Sequence, residues 1–226
     1  MKTSQTIEIG ELLGQLCAKD IESAVCEADP GMQSSDLAEM VACEKFAPTR
    51  RAEFLSGRAC ARKALQALGY RDSPLTADAE GVPEWPEGSV GSITHSRSCC
   101  GAVAARAQNY AGLGLDFEQT GRLSEAAAKR VVHPMEAAFA SSHTEGATLL
   151  FSLKEAFYKA QFPKWRVRAN FQDIALAVDS AAGIAELAHL NESLGAIAVN
   201  ANSRFKFRFA QTEHVVLSLC CLLPDS

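Results

Sequence analysis

Two stretches of the chain hold carboxylates and a lysine at spacings that bring them together. Between Phe151 and Ala160, Glu155 and Lys159 fall one helical turn apart and share a side of a helix. In Gly114-Leu115-Asp116-Phe117-Glu118, strand alternation puts Asp116 and Glu118 on one face and Phe117 on the other. Three carboxylates and an ammonium meeting at one point suit a divalent cation and a phosphate ester: hard cations take oxygen ligands, and phosphoryl groups need their charge neutralised. The acidic strand is flanked by Gly112, Leu113 and Leu115 and reads as interior, where two like charges need a cation. Structure alone offers a second reading of each group. The two acids fit a solvated sheet face. Ser152-x-x-Glu155 matches a capping box, and Glu155 to Lys159 is a helix pair worth roughly 0.2–0.5 kcal/mol.

The upstream half supplies cations. A helix is predicted from Thr49 to Leu68, with Phe54, Ala61, Leu65 and Leu68 on its apolar side and Gly69 closing it. Arg51, Arg58 and Arg62 share another face, and Arg50 stands at the helix start. The stripe reads either as solvated surface or as an anion cradle, since guanidinium forks suit phosphate oxygens. His95 ends a predicted strand, Ser89 to Ser96, with Thr94 beside it. It is either a satisfied structural histidine or a phosphate donor.

Around these groups the chain divides as follows. Residues 7–28 suggest a short helix or strand pair, and Asp29-Pro30-Gly31 a turn. Asp36 is a predicted N-cap for a helix through Phe46, ended by Pro48. Residues 70–90 are rich in proline and glycine, with a short strand near Val82. Strands are predicted from Cys100 to Ala107 and from Ala111 to Glu118. Residues 123–142 read as helical, broken at Pro134, and Leu149 to Phe162 as a helix ended by Pro163. Strands follow at 175–178, 196–199, 205–209 and 215–223. Each half thus offers a long helix and several short strands. The expected fold is α+β, with two pseudo-symmetric lobes, 1–110 and 111–226. Each lobe is a small, mostly antiparallel sheet packed on a long helix, and the active site lies in the cleft between them.

The bulk composition is that of an ordinary globular protein: 226 residues, 47% hydrophobic, 22% charged. A net charge of −5 argues against general nucleic-acid binding. Eight cysteines include no Cys-x-x-Cys pair, so zinc spacing is absent. No secretory signal and no membrane-spanning run is legible, and a reduced cytoplasmic setting is expected.

The order and spacing of the motifs say more than any one of them. They are Arg50-x-x-Glu53-Phe54 with Gly57-Arg58-x-x-x-Arg62, then Gly81-Val82-Pro83, then Gly91-Ser92-Ile93-Thr94-His95-Ser96, then the acidic strand, then Phe151 to Lys159. This series resembles the 4′-phosphopantetheinyl transferase superfamily, closest to its Sfp and enterobactin-synthase type. The resemblance runs from about Arg50 to Lys159, and the last two motifs are the most specific. It implies an enzyme that moves the phosphopantetheine arm of coenzyme A onto a serine of an apo acyl or peptidyl carrier protein. Adenosine 3′,5′-bisphosphate leaves, and Mg²⁺ is required. The family's metal ligands fall on Asp116, Glu118 and Glu155, its general base on Glu155 and its phosphate lysine on Lys159. Its coenzyme A contacts fall on Arg50, Arg58, Arg62, Thr94 and His95. The strand motif carries Leu115 and Phe117 where Ile or Val is usual, Phe151 replaces a frequent Trp, and Glu80 stands where relatives often place a basic residue.

The carrier could belong to fatty-acid, polyketide, peptide or siderophore synthesis, and Lys164-Trp165-Arg166-Val167-Arg168 is either its basic docking patch or a solvated loop. The expected molecule is a monomer with an internal pseudo-twofold, with no nucleic-acid partner and no membrane span. A non-catalytic coenzyme A or carrier-binding module is the alternative. A P-loop phosphotransferase is excluded, because no Gly-x-x-x-x-Gly-Lys-Ser/Thr loop occurs.

Overall fold

Proline and glycine cut the chain into elements that fall into two units, one ending at Gln108 and the other starting at Asn109. The computed structural model describes residues 4–34, 36–71, 74–96, 99–197 and 204–225.

In the first unit, α1 (Ser4–Leu16) buries Ile9, Leu13 and Leu16, apolar positions stepping by four and three. Strand β1 (Ile21–Glu27) follows, so residues 7–28 form one helix and one strand. Helix α2 (Leu37–Ala42) is capped as expected: the Asp36 side chain accepts from the N–H groups of Ala38 and Glu39. It ends at Ala42, before the expected Phe46. Helix α3 (Pro48–Ala67) places Pro48 in its first turn, where a missing N–H matters least. Its end is a Schellman closure on Gly69 at φ 86°, with Tyr70 N–H on the Leu65 carbonyl at 3.0 Å.

Strands β2 (Ser89–Ser96) and β3 (Cys99–Arg106) complete an antiparallel sheet in the order β1-β3-β2. The central β3 is buried from Cys99 to Ala105 and is correspondingly built from small residues. Helix α3 lies directly on β2: a Cβ at Gly57 would stand 2.8 Å from Ile93 Cγ2. The strand expected near Val82 is a single bridge between Ala77 and Pro83.

The second unit begins with β4 (Gly112–Gln119) and α4 (Glu125–Val131). A 3₁₀ turn at Pro134–Glu136 and α5 (Ala137–Ser142) follow, then α6 (Gly146–Trp165). Strands β5 (Ile174–Asp179), β6 (Ile184–Leu190), β7 (Phe205–Gln211) and β8 (Val215–Leu222) close an antiparallel sheet in the order β4-β8-β7-β6-β5. Phe205, Phe207 and Phe209 of β7 face inward as their alternation predicts, and the Phe157 ring of α6 meets Phe205 at 4.7 Å. Among the described residues each unit is therefore a sheet on a 20-residue helix, with three strands in one and five in the other.

Several expectations are corrected. Pro163 lies inside α6, because so near the C-terminus its missing N–H removes a single helical bond. The helix ends instead at Arg166, at φ 56°, whose N–H reaches the Phe162 carbonyl at 2.9 Å. Ser152 is fully buried in the interior of α6, so it forms no capping box with Glu155. Strand β6 is an addition to the expected elements: its buried Ala185 and Leu187 alternate with exposed Ile184, Glu186 and Ala188, so the outward face is itself largely apolar and no apolar–polar alternation marks the strand. Of the strand expected at 196–199, Ile197 ends a 3₁₀ segment and 198–199 lie outside the described residues. Among the described residues no helix is long and apolar enough to cross a membrane.

Candidate active site

Gly112, Gly114, Asp116 and Glu118 share the face of β4 that meets α6. A Cβ on Gly114 would lie 1.8 Å from the Ala156 carbonyl oxygen, and one on Gly112 would lie 2.2 Å from that of Ala160. Only glycine permits this backbone contact. It draws α6 close enough for Lys159 Nζ to donate to Asp116 Oδ1 at 2.6 Å and to the Leu115 carbonyl at 3.0 Å.

The carboxylates sense one another. Burial pushes the Glu118 carboxyl up to about 7, Asp116 and Glu155 add to the rise, and Arg122 and Lys159 oppose it. Burial also raises Glu155, with Lys159 pulling it back and Asp116 pushing further. Glu155 is half-buried and opens on a groove of about 360 Å³ lined by Tyr158, Arg168 and Phe171. The residues expected to act together on β4 and α6 thus stand within one electrostatic neighbourhood.

Their donor chemistry fits a hard divalent cation, since all the ligating atoms are carboxylate oxygens. Among the described residues no three His, Cys, Asp or Glu side chains already stand at metal-holding distances. On Asp116 the neighbouring cation is the Lys159 ammonium.

Lys154 has a different task. Fully buried, it donates to the carbonyls of Val131 and Phe171 at 2.8 Å each and to Glu136 Oε2 at 2.7 Å. Glu136 also accepts from Leu176 N–H at 2.8 Å and His133 N–H at 2.8 Å. Burial lowers the Lys154 ammonium and Glu136 pushes it back up, so the pair ties α6 to the loops on either side. The sequence showed both residues without showing that they pair.

In the first unit the predicted cations separate into two kinds. Arg50 is exposed, with Nη1 2.6 Å from His95 Nε2 and 3.4 Å from Glu53 Oε2. A guanidinium only donates, so Nε2 accepts and Nδ1, 3.5 Å from Glu53, carries the proton. Arg58 is buried instead: Nε donates to the Leu75 carbonyl at 2.7 Å, and the guanidinium stacks 3.4 Å from the Phe54 ring centroid. Desolvation lowers it to about 10, still charged at neutral pH. Arg62 pairs with the fully buried Glu39, which also accepts from Leu75 N–H at 3.0 Å. Arg58 and Arg62 therefore fasten the Leu75 segment to α3 and form no solvated stripe. Thr94 is buried on the face opposite the exposed His95. The missed partners, Glu39 and Glu136, carry no local signal, because the cations they meet are distant in sequence.

Of the basic stretch after α6, Lys164 pairs with Asp225 at 2.9 Å, while Arg166 and Arg168 lie over Phe162 at 5.7 and 5.9 Å.

Two family models match the chain. Residues 38–105 match the 4′-phosphopantetheinyl transferase N-terminal domain, and residues 112–216 match the 4′-phosphopantetheinyl transferase superfamily. Over 170 residues the chain is 31% identical to the 4′-phosphopantetheinyl transferase Npt of Nocardia iowensis, covering 74% of this chain and 76% of that protein. The chain belongs to the 4′-phosphopantetheinyl transferase superfamily.

Other members align over less. The chain is 40% identical to Svp of Streptomyces mobaraensis over 142 residues, 60% of this chain and 58% of that one. It is 35% identical to PptT of Mycobacterium tuberculosis over 135 residues, 58% of this chain and 60% of that one. It thus spans less than two thirds of the length of these two transferases. The two superfamily segments meet between residues 105 and 112, around the break at Gln108 and Asn109. Asp116, Glu118, Glu155 and Lys159 all fall in the second superfamily segment, and Arg50, Arg58, Arg62, Thr94 and His95 in the first.

Proposed function

We propose that this protein transfers the 4′-phosphopantetheine arm of coenzyme A to a serine of an apo acyl or peptidyl carrier domain. The observation that supports this most is the meeting of Glu155 and Lys159 with the Asp116–Glu118 pair in a chain of this superfamily. We assign metal binding and catalysis to the unit after Asn109, and coenzyme A contacts to residues of the unit before it. We assign the enzyme to the cytoplasm, the reducing setting in which thiols persist.

In the proposed step the carrier serine Oγ forms a bond to the β-phosphorus of coenzyme A. The bond from that phosphorus to the bridging oxygen breaks, and adenosine 3′,5′-bisphosphate leaves with the electron pair. Glu155 takes the serine proton, directly or through a water, a contribution of about 10²–10⁴-fold. Burial raises the proton affinity of this carboxyl above its ordinary value. Asp116, Glu118 and Glu155 would hold Mg²⁺, which when bound neutralises the pyrophosphate oxygens. Lys159 swings from Asp116 to the phosphoryl oxygens as charge develops there. Arg50 and His95, exposed and side by side, are assigned to phosphate groups of coenzyme A, with Thr94, Arg58 and Arg62 bracing their strand and helix.

The test is incubation with coenzyme A, Mg²⁺ and a panel of apo carrier domains from fatty-acid, polyketide and peptide synthetases, followed by intact-mass measurement. One carrier should gain the mass of the phosphopantetheine arm. Tight coenzyme A binding with no product on any carrier would favour the binding-module reading.

A further inference from the structure

Strand β8 is apolar along the face that meets α6, with one exception. Val216 and Cys220 belong to the core there, and Ser218 stands between them. Its hydroxyl is fully buried and has no hydrogen-bond partner among the described residues. A buried hydroxyl without a partner is destabilising by about 1–3 kcal/mol relative to a satisfied one, so its presence needs a reason. The register supplies one: Ser218 is the cross-strand partner of Asp116. Directly opposed residues share a face, with Cβ atoms about 4.5–5.5 Å apart.

A second such hydroxyl approaches from the helix. Ala160 meets Gly112 and Ala156 meets Gly114. Four helical residues rise about 6 Å and two strand residues about 6.8 Å, so the two rows keep step. One further step brings Ser152 to the level of Asp116. Ser152 Oγ is also fully buried and has no hydrogen-bond partner among the described residues. Register thus places two buried hydroxyls, from two elements, at the level of one carboxylate; its Oδ1 is held by Lys159, and its buried Oδ2 has no hydrogen bond to either serine.

We infer that Ser218 and Ser152 are positioning residues for Asp116: their hydroxyls donate to its carboxylate once Lys159 leaves it and fix the oxygen it presents to the metal. This rests on the proposed reaction centre. Carboxylate ligands are commonly held by such outer contacts, and losing one lowers metal affinity about 10–100-fold.

The test is equilibrium Mn²⁺ binding by electron spin resonance, with the full chain and no substrate. Ser218→Ala and Ser152→Ala should each weaken Mn²⁺ binding about tenfold or more. Their unfolding temperatures in chelator should stay unchanged or rise, since each loses a buried unpaired hydroxyl. Ser218→Thr, which keeps the hydroxyl, should bind Mn²⁺ closer to the parent than Ser218→Ala does. Asp116→Asn is the reference. If Asp116→Asn loses Mn²⁺ but both alanine variants bind as the parent does, the inference about the serines is overturned and the reaction centre stands. If Asp116→Asn itself binds as the parent does, the reaction centre fails, and this inference with it. An alanine variant that loses Mn²⁺ only in step with its folding stability would make that serine structural and overturn its assignment.

Discussion

Lys159 Nζ lies 2.6 Å from Asp116 Oδ1, so the lysine assigned to phosphate and the aspartate assigned to metal are bound to each other. The ammonium and a divalent cation then claim the same carboxylate. Lys159→Met should tighten Mn²⁺ binding severalfold while reducing kcat about 10²–10³-fold, the usual scale for losing one charge-stabilising donor. Isothermal titration beside steady-state turnover separates the two effects. Weaker metal binding in this variant would show that the ion pair organises the metal ligands and does not compete for them.

Glu155→Gln removes both a proton acceptor and a metal ligand. Transfer should fall at least 10²–10⁴-fold, while coenzyme A binding measured by calorimetry stays within a few-fold of the parent. Parental turnover would remove Glu155 from the mechanism.

Gly114→Ala probes the backbone contact that gathers the site. Its Cβ has no room, at 1.8 Å from the Ala156 carbonyl oxygen. Strand and helix must separate, which should destabilise the fold by about 1–3 kcal/mol or more and weaken Mn²⁺ binding as Asp116 moves away from α6. Urea denaturation and metal titration check the two together. Unchanged values would place α6 farther from β4 than the structure does.

Glu118 gives a pH signature. Its folded-state value is raised from 4.5 to about 7, so the fold binds that proton more tightly than the unfolded chain does. The associated stability is fully present below pH 4.5 and is lost as the pH rises to about 7. In chelator, the unfolding temperature of the parent minus that of Glu118→Gln should fall across this window. Added Mg²⁺ should raise the parent's unfolding temperature more at pH 8 than at pH 5, because it needs the carboxylate. A flat difference curve would mean that Glu118 is solvated like a surface acid.

Arg50 and Arg58 should part company. Arg50→Ala, at the exposed end of α3, should raise the KM for coenzyme A about tenfold, the equivalent of about 1.4 kcal/mol, with little change in stability. Arg58→Ala removes a buried guanidinium from the Leu75 carbonyl and should lower stability by about 1.5–3 kcal/mol. Chemical denaturation and coenzyme A kinetics on both variants decide the matter; a stable Arg58→Ala with a raised KM would return that residue to direct contact.

The sequence by itself determined the periodic features. Alternation put Asp116 and Glu118 on one face, a four-residue step put Glu155 beside Lys159, Gly69 ended α3, and Phe205, Phe207 and Phe209 lined one side of β7. These are local, because helix and strand periods fix side-chain direction without reference to the rest of the chain. The family motifs were legible for the same reason, as fixed residues at short spacings. Tertiary structure decided what each charge meets. Lys154 and Lys159 sit five positions apart on one helix, yet one is a buried brace on Glu136 and the other faces Asp116. Arg50 and Arg58 share α3, yet one is exposed and the other is sealed under Leu75. Partners tens of residues away, and the burial that sets their charge, are products of packing. No local pattern records them, since the energy of a charge depends on everything that displaces water around it.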